Sequence, residues 1–202
     1  MAPGVTAVLL AAGESSRMGQ PKPLLPWGDL PLVRYQVKAL AEAGAGPIVV
    51  VLGPTTLDAE AHLAGINGVR AVVNHLAPEG KTTSVRLGVS QVAEDAEGIL
   101  LLAVDQPRSS DIMRRVIDAH LAGDALITHP TYEGRGGHPI VFHSSLAPEL
   151  LAVTEERQGI REVVSRHMHR LQRVELGDPM VRLDLNTLDD YRTALAQYGP
   201  RP

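Results

Sequence analysis

Four short apolar runs, residues 5–10, 47–52, 69–73 and 98–104, recur through the first half of this chain, with segments of helical periodicity between them. Continuous apolar runs of this length read as strands buried on both faces, and strands alternating with helices read as a doubly wound parallel sheet. Between the runs, residues 31–44 set Val33, Val37, Leu40 and Ala41 on one helical face before Gly44. A short helix from Pro54 is expected to turn Leu57, Ala61 and Ala64 inward, and one over residues 84–92 to align Val85, Gly88, Val89 and Val92.

The second half is less regular. A helix over 109–121, strands over 125–129 and 138–142, helices over 145–153 and 159–168 and a strand over 172–176 are expected, with antiparallel strands joining the same sheet. An apolar segment, 181–185, follows, and on a strand there Asp184 and Asn186 would share a face. Thr187 and Asp190, three residues apart, form a capping box for a last helix. No repeat, linker or low-complexity tract interrupts the chain, so a single domain over residues 1–202 is expected.

Ligands of an open parallel sheet gather at the carboxyl ends of its strands. Three polar segments fall there: residues 11–22, residues 74–84, and Asp105 with Gln106 and Pro107. The first carries Ala11-Ala12-Gly13, two serines, Arg17, Gly19 and Lys22. Small residues let backbone N–H groups approach an anion, and two fixed cations add charge where phosphates would sit. This reads as a triphosphate cradle. Asp105 facing it is a candidate Mg²⁺ ligand, because Mg²⁺ takes one or two carboxylates plus substrate phosphates; as an alternative it caps the turn before Pro107.

Composition narrows the partners. Aromatics make up 3% of the residues, which argues against a stacking platform for single-stranded nucleic acid, and the formal charge of −4 supplies no basic field for duplexes. Cysteine is absent, so disulfides, thiolate metal sites and cysteine nucleophiles are excluded. No signal-like leader or membrane-length apolar segment is present, and a cytoplasmic protein is the expectation. Gly80-Lys81-Thr82 imitates the end of a Walker A loop, but His75 stands where the first glycine is required. The first turn likewise lacks the G-x-G-x-x-G of dinucleotide-binding domains.

Residues 10–19 (Leu-Ala-Ala-Gly-Glu-Ser-Ser-Arg-Met-Gly) with Pro21-Lys22 closely resemble the signature of the MobA-like nucleotidyltransferases, which have a Rossmann-like three-layer α/β fold of the glycosyltransferase-A kind with a mostly parallel mixed sheet. Asp105-Gln106-Pro107, Gly137-His138-Pro139 and residues 184–191 (Asp-Leu-Asn-Thr-Leu-Asp-Asp-Tyr) look most like the MocA-type molybdenum cofactor cytidylyltransferase branch. Leu188 stands where members often carry proline.

The resemblance implies roles. Leu10, Ala11, Ala12, Gly13, Asn74 and Ser84 would bind the nucleotide, with Val85 and Gly88 in its base-contacting segment. Arg17 and Lys22 would hold phosphates and, with Asp105, form the catalytic set. Asp105 with Asp184 or Asn186 would bind Mg²⁺, and Arg135, Gly137 and His138 would meet the acceptor. Ala12 resembles the CTP-using branch, since GTP-using relatives carry a second glycine there. The implied reaction moves CMP from CTP to the phosphate of molybdopterin, with molybdenum hydroxylases or their accessory proteins as further partners and neither nucleic acid nor membrane involved. Alternatives are a GTP-using enzyme, a transferase acting on a sugar or polyol phosphate, and a binding protein without catalysis.

Overall fold

The computed structural model describes residues 4–14 and 18–199. In chain order, β1 is Val5–Ala11, β2 Pro26–Trp27, β3 Leu30–Pro31, α1 Leu32–Glu42, β4 Ile48–Leu52, β5 Val69–Val73, α2 Lys81–Val89, β6 Gly98–Ala103 and α3 Ser110–Ala122. There follow β7 Ile127–Tyr132, β8 Arg135–Gly136, β9 Ile140–His143, α4 Ala147–Leu151, α5 Ile160–Arg166, β10 Leu171–Glu175 and α6 Leu188–Tyr198.

Eight strands form one sheet in the order β10-β7-β9-β6-β1-β4-β5, with β8 attached to β7. β1 lies inside it, between and parallel to β4 and β6, with Ala11 opposite Leu52 and Leu10 opposite Ala103. β9 runs antiparallel to β6 and to β7, and β10 is parallel to β7. Six strands therefore end on one edge, where β9 begins. The antiparallel additions expected of the second half are β8 and β9 alone; β7 and β10 keep the direction of the first strands.

Strand alternation divides the core into two layers. Ala7, Leu9 and Ala11 of β1 face α1, α3 and α6, through Leu32, Leu40, Ile112, Val116 and Tyr191. Val8 and Leu10 face the other side, against Val85 and Val89 of α2, Leu150 of α4 and Val163 of α5. The result is helices, sheet, helices, as the alternation of runs predicts. Among the described residues no helix is long and apolar enough to cross a membrane.

Local signals set several helix ends as expected. Thr187 Oγ1 accepts from Asp190 N at 3.1 Å and Asp190 Oδ2 accepts from Thr187 N at 2.8 Å, which completes the capping box. Three expectations fail. The segment Pro54–His62 is a 3₁₀ run, so its inward residues are Thr56 and Ala59, while Leu57, Ala61 and Ala64 face solvent. Three residues per turn instead of 3.6 moves the buried stripe. α2 begins three residues earlier than the apolar spacing suggests, at Lys81. Residues 181–185 are no strand: Pro179–Arg182 is a 3₁₀ turn whose Met180 N–H is taken by Asp178 Oδ1 at 2.8 Å. Proline after an aspartate cap favours a turn over a ladder, so the argument that Asp184 and Asn186 share a strand face lapses.

Candidate active site

The edge where the strands end carries two adjoining clefts. The smaller, about 210 Å³, is lined by Leu10, Ala12, Gly13, Lys22, Lys81, Ser84 and Asp105. β1 delivers its end there because Val104 N donates to Leu10 O at 2.9 Å and draws the exits of β1 and β6 together. On the other flank β4 ends at Gly53, where a Cβ would stand 2.7 Å from the Ala12 carbonyl oxygen; only glycine lets the two turns lie this close. An added Cβ at Gly13 would meet nothing within 4 Å among the described residues.

Two opposite charges meet at the cleft. Lys22, in the 3₁₀ turn Lys22–Leu24, reaches Asp105 just past β6, with Nζ 2.7 Å from Oδ2. Both side chains keep some exposure, 16% for the lysine and 26% for the aspartate, so the pair borders the cleft instead of being sealed below it. Arg17 lies outside the described residues.

Lys81 escaped the sequence reading. Gly80-Lys81-Thr82 fails as a Walker loop, yet it still places a lysine at the first position of α2, where it lines both clefts. The remaining signal was a glycine followed by a lysine at a helix start. Gly80 adopts φ +133°, and a Cβ there would stand 2.5 Å from Glu155 Oε1. That carboxylate oxygen caps the helix by accepting from Thr82 N at 2.7 Å.

Asn74 does not stand on the wall of the smaller cleft. Its Nδ2 donates to Thr83 Oγ1 and Ser84 Oγ, both at 2.8 Å, and its Oδ1 accepts from Leu76 N at 3.0 Å. Both amide hydrogens are thus used in holding the loop after β5 to the start of α2, which fixes where Ser84 faces the cleft. Gly88 also has a packing reason: a Cβ there would lie 2.3 Å from Val8 Cγ1 of β1. Ala11 is wholly buried on the α1 side of the sheet, away from the cleft wall.

The larger cleft, about 940 Å³, shares Lys81 with the smaller and is bounded by Gln106, His129, Gly137, His138, Gln158 and Asp184. Gly137 is pressed against the 3₁₀ turn, where a Cβ would stand 2.1 Å from Val181 O. The His138 imidazole is held down to about 3, mainly by burial and then by the positive charges of Arg108 and Lys81, so the ring is neutral at pH 7. Its Nδ1 is buried with no hydrogen-bond partner. Arg135, in β8, is exposed and lines neither cleft.

The two clefts are tied together by glutamine. Gln106 Nε2 donates to Asp184 Oδ1 at 2.7 Å and Ala103 N donates to Gln106 Oε1 at 3.2 Å. Buried Gln36 of α1 holds the same loop by donating to Gln106 O at 2.8 Å. Asp105 and Asp184 therefore flank one loop, while Asn186 belongs to the α6 cap, its N–H on Asp190 Oδ2 at 3.2 Å. Among the described residues no three or more His, Asp or Glu side chains gather as a metal cage. Asp105, facing a cleft that would bring phosphate oxygens, suits the sparse protein coordination of Mg²⁺.

Residues 7–172 match the model of the MobA-like NTP transferase domain. Over 93% of its length the chain is 30% identical to nicotine blue oxidoreductase of Paenarthrobacter nicotinovorans, of which it covers 94%. It is 28% identical to the molybdenum cofactor cytidylyltransferase of Escherichia coli, covering 96% of this chain and 97% of that one. Among solved structures, Rv0371c of Mycobacterium tuberculosis superposes with a TM-score of 0.84 at 31% identity, over 97% of this chain and 99% of that one. A second structure of that protein, in complex with manganese, gives a TM-score of 0.78 at 29% identity, over 97% and 100%.

Proposed function

Since the chain belongs to the MobA-like NTP transferase family and is a nucleotidyltransferase of that kind, we propose that it transfers CMP from CTP to the phosphate monoester of molybdopterin, releasing pyrophosphate. The observation that carries this reading is the pair of adjoining clefts joined at Lys81. In this reading one takes the nucleotide and the other the acceptor, and Lys81, which lines both, would stand where the two phosphates meet.

In this reading an oxygen of the acceptor phosphate attacks the α-phosphorus of CTP. A P–O bond forms, the bond from the α-phosphorus to the bridging oxygen breaks, and pyrophosphate leaves with the electron pair. A phosphate monoester is already largely ionised near pH 7, so no general base is needed. The chain's own work is alignment and charge. Lys22 and Lys81, both on the smaller cleft, would offset charge on the phosphates, and Gly13 on its wall adds no side chain of its own. Asp105, with Asp184 across the Gln106 loop, would hold Mg²⁺, which when bound offsets charge on the phosphates. The choice of CTP leans on Ala12, whose place in the signature resembles the CTP-using branch. His138, neutral with Nδ1 unpaired, offers the acceptor an uncharged hydrogen-bonding edge.

The test is a matrix of CTP, GTP, ATP and UTP against molybdopterin and representative sugar and polyol phosphates, read by pyrophosphate release. CTP with molybdopterin should turn over fastest. Turnover with GTP and none with CTP overturns the base, and turnover with a sugar phosphate overturns the acceptor. The similarity to an oxidoreductase adds one arm, oxidation of a reduced nicotinamide donor in the presence of a dye. Dye-dependent oxidation there, with no pyrophosphate released in any other arm, overturns the transfer reading.

A further inference from the structure

Arg108 is 0% exposed, the only Lys or Arg among the described residues counted in the buried core. None of its hydrogen-bond partners is a carboxylate. Its guanidinium donates from Nε to His138 O at 2.9 Å and from Nη2 to Val181 O at 2.8 Å. Nη1 donates to Pro107 O at 2.8 Å and to Leu183 O at 2.9 Å. Its own backbone N–H is taken by Gln36 Oε1 at 3.3 Å.

Those carbonyls belong to three separate stretches of chain: the turn after β6, the approach to β9, and the segment following β10. Each stretch carries a site residue within two positions of a bonded carbonyl: Asp105 beside Pro107, His138 itself, and Asp184 beside Leu183. The same stretches are stitched by two backbone bonds, His138 N to Val181 O at 2.9 Å and Leu185 N to Asp105 O at 2.8 Å. Burial lowers the guanidinium to about 10, which leaves it protonated at neutral pH. A buried cation is costly, and an apolar side chain could fill the same space. What the apolar side chain lacks is a planar fork that fixes several acceptors at once in set directions. A lysine ammonium cannot span them. The walls of the nucleotide cleft at Ala12, Lys22 and Ser84 contribute none of the partners.

We propose that Arg108 is a positioning residue for the junction of the two clefts, setting the spacing of the segments that bear Asp105, on the smaller cleft, and His138 and Asp184, on the larger. The assignment of the larger cleft to the acceptor rests on the function proposed above; the clamp itself does not.

The experiment compares the full-length protein with Arg108→Lys and Arg108→Ala by amide hydrogen exchange, calorimetric CTP titration and steady-state transfer. In Arg108→Lys the amides of His138 and Leu185 should exchange at least about tenfold faster while those of β1 and β4 keep their protection. CTP affinity should stay within about twofold, whereas transfer should fall roughly 100-fold, as expected for sub-ångström to ångström misplacement of reacting groups. Guanidinium ion added to Arg108→Ala should restore part of the turnover, an effect that a loss of packing would not produce. Native protection at both amides in Arg108→Lys overturns the proposal. So does a parallel fall of CTP affinity and transfer that tracks the loss of Tm. If the unmodified protein transfers to no acceptor while the two amides still lose protection, the clamp stands and the acceptor reading fails.

Discussion

Lys22 Nζ stands 2.7 Å from Asp105 Oδ2, a contact that spans 83 positions of sequence and joins the loop after β1 to the exit of β6. In the proposed function, a bound triphosphate would offer the lysine phosphate oxygens and leave the aspartate to a divalent cation.

Lys22→Ala should therefore reduce kcat/KM by about 10²–10³-fold, the cost of losing one charge-stabilising donor. Tm should fall as well, because the pair is only 16% and 26% exposed and Asp105 loses its bonded cation. Asp105→Asn should instead abolish the stimulation by Mg²⁺, and chelation of metal should bring the unmodified protein down to the same rate. Steady-state assays across a metal titration separate the two variants; equal metal dependence in Asp105→Asn would remove that residue from the metal site.

Asn74 acts through the loop and not by touching the cleft. Asn74→Ala removes the donor to the Thr83 and Ser84 hydroxyls and leaves the Leu76 N–H without its acceptor, and should cost about 1–3 kcal/mol of stability. Urea denaturation measures that loss, and the KM for the nucleotide should rise with it as Ser84 loses its bearing.

Gly88 lies under Val8. Alanine ordinarily favours a helix interior over glycine by roughly 1 kcal/mol, yet here the added methyl would sit 2.3 Å from Val8 Cγ1. Overpacking should outweigh propensity, leaving Gly88→Ala destabilised by about 1–3 kcal/mol. The cost of Gly88→Ala should be smaller when measured in a Val8→Ala background than in the unmodified protein; an equal cost in both backgrounds, read by thermal unfolding, would show that the contact with Val8 is not the cause.

His120 is buried against Thr128, Nδ1 to Oγ1 at 2.9 Å, and burial followed by the His143 charge lowers it from 6.5 to about 4. Folding thus favours its neutral form, and between pH 6.5 and about 4 the unfolded chain binds the extra proton. Stability from this group is full above pH 6.5, falls as the pH drops through that window, and levels off below about 4. His138 extends the fall towards about 3. The decline in Tm with acid should be shallower in His120→Gln, provided the glutamine keeps a bond to Thr128; an unchanged slope would assign the acid sensitivity elsewhere.

Features that depend on neighbours along the chain were legible before the fold was known. The strand at residues 5–10, the helix stop at Gly44 and the Thr187–Asp190 capping box rest on hydrogen bonds and apolar spacing within a few residues. The doubly wound plan follows from strand and helix alternation, and it already brings the exits of β1, β5 and β6 to one edge. The 3₁₀ segments misled because their period differs from the one used to read them.

What the sequence determined by itself was the sheet, its ligand-binding edge and the residue types waiting there. Only the tertiary structure decided their partners: that Lys22 meets Asp105, that Asn74 is consumed by Thr83 and Ser84, that Lys81 stands between two clefts, and that Arg108 clamps three distant stretches. The physical reason is range. A cap or a turn is closed by its own neighbours, whereas a side chain whose partners lie tens of residues away finds them only when the packing of whole layers fixes where each loop ends.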